Sequence, residues 1–255
     1  MLRKYILKFA NGCSFFWKLI PFNIRKFIFT SLFILESRDS NPDYSLKRIF
    51  KIKDKLEWII NERAISYDNG LHPKHRITGY HSFFINRIKS NQKILDVGCG
   101  NGSVAIDIAY NNPSCKIIGI DINQNSINKA NLLLKKSKLK NVSFKKVDIS
   151  IDIRIEADVI VLSNVLEHIE NRIEFLNNIY KLSGANQFLI RVPLFERDWQ
   201  IPLRKELGMY YFSDLDHKTE HTLNEFEKEM KMSNLKINEI KTLWGEIWAS
   251  CNYER

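Results

Sequence analysis

The sequence predicts an open, doubly wound α/β fold with a mostly parallel sheet, a C-terminal antiparallel hairpin and an N-terminal helical extension. Between Lys93 and Val192, short apolar runs alternate with stretches of helical periodicity, which is the pattern of βαβ crossovers onto a parallel sheet. After Pro193 the alternation stops, and the chain closes with one helical stretch and two apolar runs separated by Gly245, a residue typical of hairpin turns. A chain of 255 residues, 44% of them hydrophobic, can bury the core of one such domain and carry an additional segment.

The same periodicities give expected limits for each element. Strands are predicted at residues 93–97, 116–121, 142–147, 157–162 and 187–192, with helices at 103–110, 125–138 and 173–182 between them. Residues 194–221 are predicted to form an irregular insertion, followed by a helix at 223–232 and strands at 235–244 and 247–253. We therefore expect a helical extension over residues 1–90 and the α/β domain over residues 91–255.

The extension begins with an amphipathic, basic segment. Residues 1–35 carry six basic side chains and no acid, because the first acid is Glu36. Apolar side chains recur at helical spacing and would line one face of a helix: Leu2, Ile6, Phe9, Cys13, Phe16, Trp17 and Ile20. The most apolar stretch, residues 27–35, is far shorter than the roughly 20 residues that a membrane-spanning helix needs. Either this stripe packs on the α/β domain, or it contacts an anionic membrane surface or a lipid-linked substrate.

Charge and cysteine usage limit the environment of the chain. The formal net charge of +10 favours an anionic partner without identifying it. The four cysteines are too scattered for a zinc knuckle, and Cys99 lies within a glycine-rich loop, where a disulfide would obstruct a ligand. We expect a reducing, cytoplasmic compartment, with association to a membrane if residues 1–35 contact one.

Glycines and carboxylates follow the strands at the edge where an open parallel sheet binds its ligand. After the first strand, Gly98, Gly100 and Gly102 remove side chains where the backbone must approach a ligand, and the next helix presents its N-terminal amides. Asp121 ends the second strand, where a ribose-hydroxyl acceptor is expected, and Asp148 follows the third. The fourth strand is followed by Ser163-Asn164-Val165-Leu166-Glu167-His168.

The position of Asp96 indicates which class of ligand the glycine-rich loop binds. A carboxylate just before the loop is badly placed beside a pyrophosphate and suits a ligand with an ammonium and a sulfonium. The loop also departs from Gly-x-Gly-x-x-Gly/Ala, since Ser103 stands three residues after Gly100, and no Tyr-x-x-x-Lys pair follows the fourth strand. These features disfavour a nicotinamide-dependent oxidoreductase or sugar epimerase, which stays the alternative enzyme.

Taken in order, four motifs resemble those of the class I S-adenosylmethionine-dependent methyltransferases, specifically the small-molecule and quinone O-methyltransferases. They are Ile94-Leu95-Asp96-Val97-Gly98-Cys99-Gly100-Asn101-Gly102, Ile120-Asp121-Ile122, Val147-Asp148-Ile149 and Asn164-Val165-Leu166-Glu167-His168-Ile169. The resemblance implies a Rossmann-like fold, S-adenosylmethionine as the cofactor and methyl transfer as the reaction.

The resemblance also implies roles for individual residues. The backbone of Gly98 and Gly100 would cradle the methionine part, and Asp121 would hold both ribose hydroxyls. Ile122 would pack on the adenine, and Asp148 would accept from its amino group, although an Asp there also serves as a helix cap. Gly102 either contacts the cofactor or only allows close helix–strand packing. The expected cofactor-binding set is completed by Asp96, Ile149 and Asn164.

Residues before the first strand would close over the cofactor as a lid, since similar enzymes use this stretch in that way. A basic residue there would meet the methionine carboxylate. Arg76, in His72-Pro73-Lys74-His75-Arg76, is the candidate because a guanidinium can bind a carboxylate through two hydrogen bonds. A surface cluster or a phosphate contact is the alternative for this basic stretch.

Histidines are the candidates for the base that takes the acceptor's proton. They are His168 after the fourth strand and His217 and His221 in the insertion, with Asp216 or Glu220 available to orient an imidazole. The alternative role for His168 and Glu167 is only to stabilise the loop that follows the fourth strand. Relatives with Glu-x-x-Glu-His at this point bind a divalent metal together with a later histidine. Here Asn164 replaces the first Glu, so that Glu167, His168 and His217 would form an incomplete shell, and we predict no metal.

The acceptor is the least determined part of the function. Ser163-Asn164-Val165-Leu166 differs from the Pro-Pro-aromatic motif of enzymes that methylate amino groups of nucleobases, and the basic residues form no dense stripe among stacking aromatics. We therefore expect no nucleic acid as partner, with a nucleic-acid methyltransferase as an alternative and a non-catalytic binding module as a weaker one. The basic aromatic N-terminus and the polar insertion favour a hydroxyl of a small or lipid-linked acceptor, such as a surface glycan, over an amine, a carboxylate or a protein side chain.

Overall fold

The computed structural model describes residues 2–68, 72–149 and 154–254, without the side chains of residues 2–8 and His75. Within the predicted amphipathic stripe, the side chains of Leu2 and Ile6 therefore lie outside the described part. The chain divides into two compact units, Met1–His72 and Pro73–Arg255. The helical stretch just before the first strand, which we assigned to the extension, lies in the second unit with the sheet.

The first unit consists of three helices, α1 (Leu2–Leu19), α2 (Phe22–Glu36) and α3 (Pro42–Tyr67). Asn41 caps α3 by accepting a 2.9 Å hydrogen bond from the backbone N–H of Asp43. Arg48 of α3 pairs with Glu36 at the end of α2 at 2.6 Å. On α1 and α2, large apolar side chains are exposed, among them Phe9, Phe15, Phe16, Leu19, Phe22 and Phe27. None of the described helices is both long and apolar enough to cross a membrane.

The second unit is built on a seven-stranded sheet. Its strands are β1 (Lys93–Val97), β2 (Lys116–Asp121), β3 (Val142–Lys146), β4 (Val159–Ser163), β5 (Gln187–Pro193), β6 (Leu235–Leu243) and β7 (Glu246–Tyr253). They lie in the order β3-β2-β1-β4-β5-β7-β6. The first five pair in parallel, while β7 is antiparallel to both β5 and β6. The predicted doubly wound sheet with a C-terminal antiparallel hairpin is confirmed.

Helices cover both faces of this sheet. They are α4 (Lys74–Thr78), α5 (His81–Ile85), α6 (Ser103–Asn111), α7 (Gln124–Ser137), α8 (Arg172–Ser183), α9 (Gln200–Glu206) and α10 (Leu223–Met232). Side chains of β4 alternate between two apolar clusters: Val161 belongs to the cluster that contains Ile108 of α6, and Ile160 to the cluster that contains Leu176 of α8. Because both faces are covered, β4 is apolar at four successive positions, 159–162, rather than alternating.

The insertion departs from the sequence prediction. Residues 194–221, predicted as irregular, contain a 3-10 turn at Phe195–Arg197 and the helix α9. Seven residues, with Pro202 in the first turn, are too few to display a helical period in the sequence. The insertion is attached to the sheet at both ends, since Leu194 bridges His221 and the N–H of Leu194 donates to the carbonyl of Gly245 at 2.9 Å.

Candidate functional site

The glycine-rich loop lies between β1 and α6, and its three glycines have different surroundings. All three adopt positive φ angles, 66° at Gly98, 55° at Gly100 and 80° at Gly102. A Cβ on Gly102 would lie 2.6 Å from Cζ of Phe144, and one on Gly98 would lie 2.8 Å from Cγ2 of Val165. A Cβ on Gly100 would meet no atom within 4 Å. Gly102 is therefore explained by packing, whereas Gly100 leaves open space where a ligand can approach the backbone.

Beside this loop, a cavity of about 420 Å³ extends along the carboxyl ends of β1, β2 and β3. It brings together five of the residues predicted to bind the cofactor: Gly98, Asp121, Ile122, Asp148 and Ile149. Residues of α8 and the loop before it complete the wall, which sequence reasoning missed: Ile169, Asn171, Glu174, Phe175 and Asn178. Apolar walls with carboxylates at the rim suit a heteroaromatic ring joined to a ribose.

Asp96 is buried at the end of β1, with 1% of its surface exposed. Its Oδ2 atom accepts no hydrogen bond from the described residues. Burial, reinforced by the negative charge of Asp121, raises the pKa of Asp96 to about 7. A buried carboxylate with an unused oxygen fits a ligand that brings a positive charge, such as the ammonium of the methionine part. Together with the open backbone at Gly100, it makes this chain suited to S-adenosylmethionine.

A second cavity, of about 500 Å³, adjoins the other side of the glycine-rich loop. It gathers Asp96, Gly98 and Gly100 with Asn164, His168 and His217, so that the predicted bases face the same space as the predicted methionine site. Backbone hydrogen bonds bring His168 and His217 close together. The carbonyl of Glu167 accepts from the N–H groups of Lys218 and Thr219 at 2.7 and 3.3 Å. The insertion is thus fastened onto the loop that follows β4.

Arg76 lies on α4 with an exposed side chain, outside the residues that line either cavity. Its neighbour Lys74 lines the second cavity instead. An α-helix this short gives no periodicity from which the inward-facing residue can be chosen. The role of Arg76 at the methionine carboxylate stays a prediction, and Lys74 is the basic residue of α4 that lies at the cavity.

Each of the two histidines of the second cavity has a carboxylate beside its Nδ1 atom, but only His217 is hydrogen-bonded to it. Nδ1 of His217 lies 3.0 Å from Oε1 of Glu220, whose side chain is fully buried. Burial alone would raise the pKa of Glu220, but hydrogen bonds from Ser213 and Arg197 outweigh it and lower that pKa. Nδ1 of His168 lies 3.2 Å from Oδ2 of the exposed Asp216, and the two imidazole rings are 4.7 Å apart. His221 is elsewhere, buried and 3.1 Å from Glu229 of α10.

Glu167 stands next to both histidines. Its side chain is fully buried, neither carboxylate oxygen has a hydrogen-bond partner among the described residues, and burial raises its pKa to about 8. One ligand atom each from Glu167, His168 and His217 can be chosen so that all lie within 4.8 Å of one another. The three residues of the incomplete metal shell are therefore close together, and a metal and a base are both compatible with their positions.

Sequence reasoning missed Arg191 of β5 as a residue of the second cavity. Its guanidinium lies 4.0 Å from the ring centre of Tyr80 and forms two 2.6 Å hydrogen bonds with Glu246. The sequence did contain an indication of this role, because Arg191 is the one charged residue in the apolar run 187–192. Trp244 and Glu246, at the tip of the β6–β7 hairpin, also line this cavity and had no such signal.

Comparisons with known proteins identify the family to which the chain belongs. The family described as "Methyltransferase domain" matches residues 88–250. The release factor glutamine methyltransferase of Buchnera aphidicola subsp. Baizongia pistaciae is 36% identical over 103 residues, which cover 38% of this chain and 37% of that protein. The ubiquinone biosynthesis O-methyltransferase of Rickettsia bellii (strain OSU 85-389) is 26% identical over 174 residues, covering 64% of this chain and 71% of that protein. The chain spans just over a third of the first relative's length and about half the length of several other curated relatives.

Solved structures share the fold. One is NcsB1, an O-methyltransferase from neocarzinostatin biosynthesis, in complex with S-adenosyl-L-homocysteine and 1,4-dihydroxy-2-naphthoic acid. It superposes with a TM-score of 0.57 at 14% sequence identity, covering 72% of this chain and 55% of that one.

Proposed function

The chain belongs to the class I S-adenosylmethionine-dependent methyltransferases, and we propose that it methylates a hydroxyl group of a small or lipid-linked acceptor, such as a cell-surface glycan. The family sets aside the alternative of a nicotinamide-dependent oxidoreductase or epimerase. The sulfonium of S-adenosylmethionine supplies an activated methyl group. The chain's own residues must then hold both reactants in line and remove a proton from the acceptor.

We assign the first cavity to the adenosine part of the cofactor. Asp121 accepts from the ribose hydroxyls, Ile122 and Ile149 pack on the adenine, and Asp148 accepts from its amino group. The support is that all four line one cavity with Gly98. Asp96 and the backbone of Gly100 hold the methionine part in the second cavity. Lys74 and Asn164 line the wall of this cavity, and Lys74 would serve the methionine carboxylate.

The hydrogen bond between His217 and Glu220 carries the proposal of a base. A buried carboxylate at Nδ1 favours the tautomer that is protonated on Nδ1, because the N–H then donates to a negative oxygen. Nε2 is left as the acceptor, and it takes the proton from the substrate hydroxyl. His168 is the alternative base, but the neighbouring Asp216 is 72% exposed and makes no hydrogen bond to Nδ1 of His168, so this ring is less firmly oriented.

The first unit supports an acceptor at a membrane surface. Phe16 and Phe27 are 70% and 71% exposed, and residues 1–35 contain six basic residues and no acid. Exposed aromatic side chains beside basic ones are typical of helices that lie in the interface of an anionic membrane. Such a location would give the enzyme access to lipid-linked acceptors.

Mass spectrometry of metabolites and surface glycans tests this function, comparing cells that contain the enzyme with cells that lack it. We expect one class of hydroxyl-bearing product to be heavier by one methyl group in cells with the enzyme, and to lose that methyl group when His217→Ala replaces the parent. A product methylated on nitrogen or on a protein side chain would contradict the proposed acceptor while leaving the methyltransferase family intact.

A further inference from the structure

The second cavity contains a carboxylate that the proposed cofactor and base leave unused. Glu167 lines this cavity, is fully buried, and has two oxygens without a hydrogen-bond partner among the described residues. A ligand that donates hydrogen bonds to this side chain favours its ionised form, which has about four acceptor positions. Leaving them unfilled in a buried site costs free energy, so a ligand that fits this cavity should bring several hydrogen-bond donors to Glu167.

Trp244 supplies a flat apolar surface to the same cavity. It stands in the turn between β6 and β7, is 59% exposed, and lines the cavity with Gly245 and Glu246. Its φ angle is 56°, a conformation that is costly for a bulky residue and is usually given to Asn or Gly in such turns. The turn is held in place, because the carbonyl of Gly245 accepts from Leu194 and a Cβ on Gly245 would lie 3.0 Å from Cβ of Arg197.

We propose that Glu167 and Trp244 form the acceptor subsite, and that the acceptor is a pyranose sugar. Two neighbouring sugar hydroxyls donate to the carboxylate of Glu167, and the indole of Trp244 packs on the C–H face of the ring. This deepens the proposed function and rests on it. Under this proposal, Trp244 determines specificity, whereas His217 removes the proton of the hydroxyl that is methylated.

The rest of the wall favours a sugar over an aromatic diol. A catechol also presents two neighbouring hydroxyls and a flat face, but its remaining edge is apolar. The cavity wall beyond Glu167 and Trp244 is polar on several sides, with Ser163, Arg191, Ser213 and Glu246 among its residues. A ring with hydroxyls around its whole edge can add hydrogen bonds to such a wall, whereas the apolar edge of a catechol offers none.

Saturation-transfer NMR on the full chain, with S-adenosylhomocysteine present, tests the subsite directly. The probes are a panel of common methyl pyranosides, with catechol and phenethylamine as competing ligand classes. We expect at least one pyranoside to bind, with the strongest transfer to C–H protons of one ring face. Glu167→Gln should weaken that binding by roughly tenfold or more, the scale of a lost hydrogen bond to a charged group. Trp244→Ala should weaken it by about the same factor, because the ring face loses its apolar contact with the indole.

Trp199→Ala is the matched control, because Trp199 is 71% exposed and lies outside the residues lining either cavity. It should leave pyranoside binding unchanged. The proposal would be overturned if no pyranoside binds, or if catechol or phenethylamine binds instead. It would also be overturned if neither substitution weakens pyranoside binding. Calorimetry with S-adenosylhomocysteine distinguishes failure of the subsite from failure of the proposed function. If S-adenosylhomocysteine binds while no pyranoside does, only the proposed subsite is wrong. If S-adenosylhomocysteine does not bind, the proposed function is wrong as well.

Discussion

The backbone N–H of Gly100 donates a 2.9 Å hydrogen bond to Oδ2 of Asp121, which ties the glycine-rich loop after β1 to the end of β2. The other oxygen, Oδ1, accepts from the N–H of Asn123 at 2.7 Å. Asp121 therefore shapes the cofactor crevice as well as lining it. Two effects follow from one side chain, namely the position of the loop and the proposed contacts with the ribose.

Replacement of Asp121 by Ala should weaken the binding of S-adenosylhomocysteine. We expect a loss of about 1.5–3 kcal/mol, the usual scale for hydrogen bonds to a charged group. Titration calorimetry measures it, with NAD as the control ligand that neither protein should bind. Unchanged affinity in Asp121→Ala would remove Asp121 from the ribose, and tighter binding of NAD than of S-adenosylhomocysteine would contradict the assigned cofactor.

Asp96 should make the stability of the ligand-free protein depend on pH. Burial, with the charge of Asp121, raises the pKa of Asp96 from 3.8 to about 7. The folded state then holds this proton more tightly than the unfolded state, so that stability falls as the pH rises from about 4 to about 7. Asp96→Asn removes this loss, and we expect it to melt above the parent at about pH 8 and near it at about pH 4.

The same substitution should weaken cofactor binding, because the amide cannot pair with an ammonium. Thermal melts of parent and Asp96→Asn at both pH values, with and without S-adenosylhomocysteine, separate the two effects. A difference in melting temperature that is the same at both pH values would show that the charge of Asp96 is not the cause.

The sheet and the cofactor crevice were predictable because both follow from local sequence. Apolar runs such as residues 159–162 indicate strands buried on both faces, and residues just after such strands meet at one edge of a parallel sheet. Gly100, Asp121, Asp148 and His168 were located in that way. The cavity walls were less predictable where they depend on how distant segments pack.

Three features of the site show why the cavity walls were harder to predict than the sheet. Arg76 and Lys74 are two residues apart on a five-residue helix, and only tertiary packing selects Lys74 for the cavity wall. Trp244 reaches the site because β7 pairs with β5, a contact between residues far apart in the chain. The helix α9 is too short to show helical periodicity in the sequence. For the carboxylate that contacts His217, the sequence left two candidates, Asp216 and Glu220, and the structure shows Glu220.

Chelation separates a base from a metal at the second cavity. Since Glu167, His168 and His217 lie close enough to share an ion, the prediction of a metal-free site can be tested directly. We expect dialysis against EDTA to leave activity unchanged. His217→Ala should lower kcat by about 10²–10⁴ with the affinity for S-adenosylhomocysteine retained, because general-base assistance contributes that much. Activity lost on chelation and restored by a divalent metal would contradict this, and a larger loss in His168→Ala would make His168 the base.

The first unit should bind vesicles that contain anionic lipid. Flotation of the full chain measures this, and salt should weaken the binding because the basic residues act through screened charges. The double substitution Phe16→Ser and Phe27→Ser should reduce the floated fraction. Tyr67→Ser is the control, since Tyr67 is 80% exposed but is the last residue of α3, outside the acid-free segment 1–35. Equal flotation of all three proteins would show that the exposed aromatics do not contact lipid.

The central claim is methyl transfer to a hydroxyl with His217 as the base, and isotopic labelling tests it most directly. Purified enzyme is incubated with S-adenosylmethionine carrying a ¹³C methyl group and with an extract of cells that lack the enzyme, and the labelled products are observed by carbon-detected NMR. We predict a new resonance in the range of methyl ethers, which His217→Ala largely abolishes. A labelled methyl group on nitrogen, or an ether signal equally strong with His217→Ala, would contradict the account.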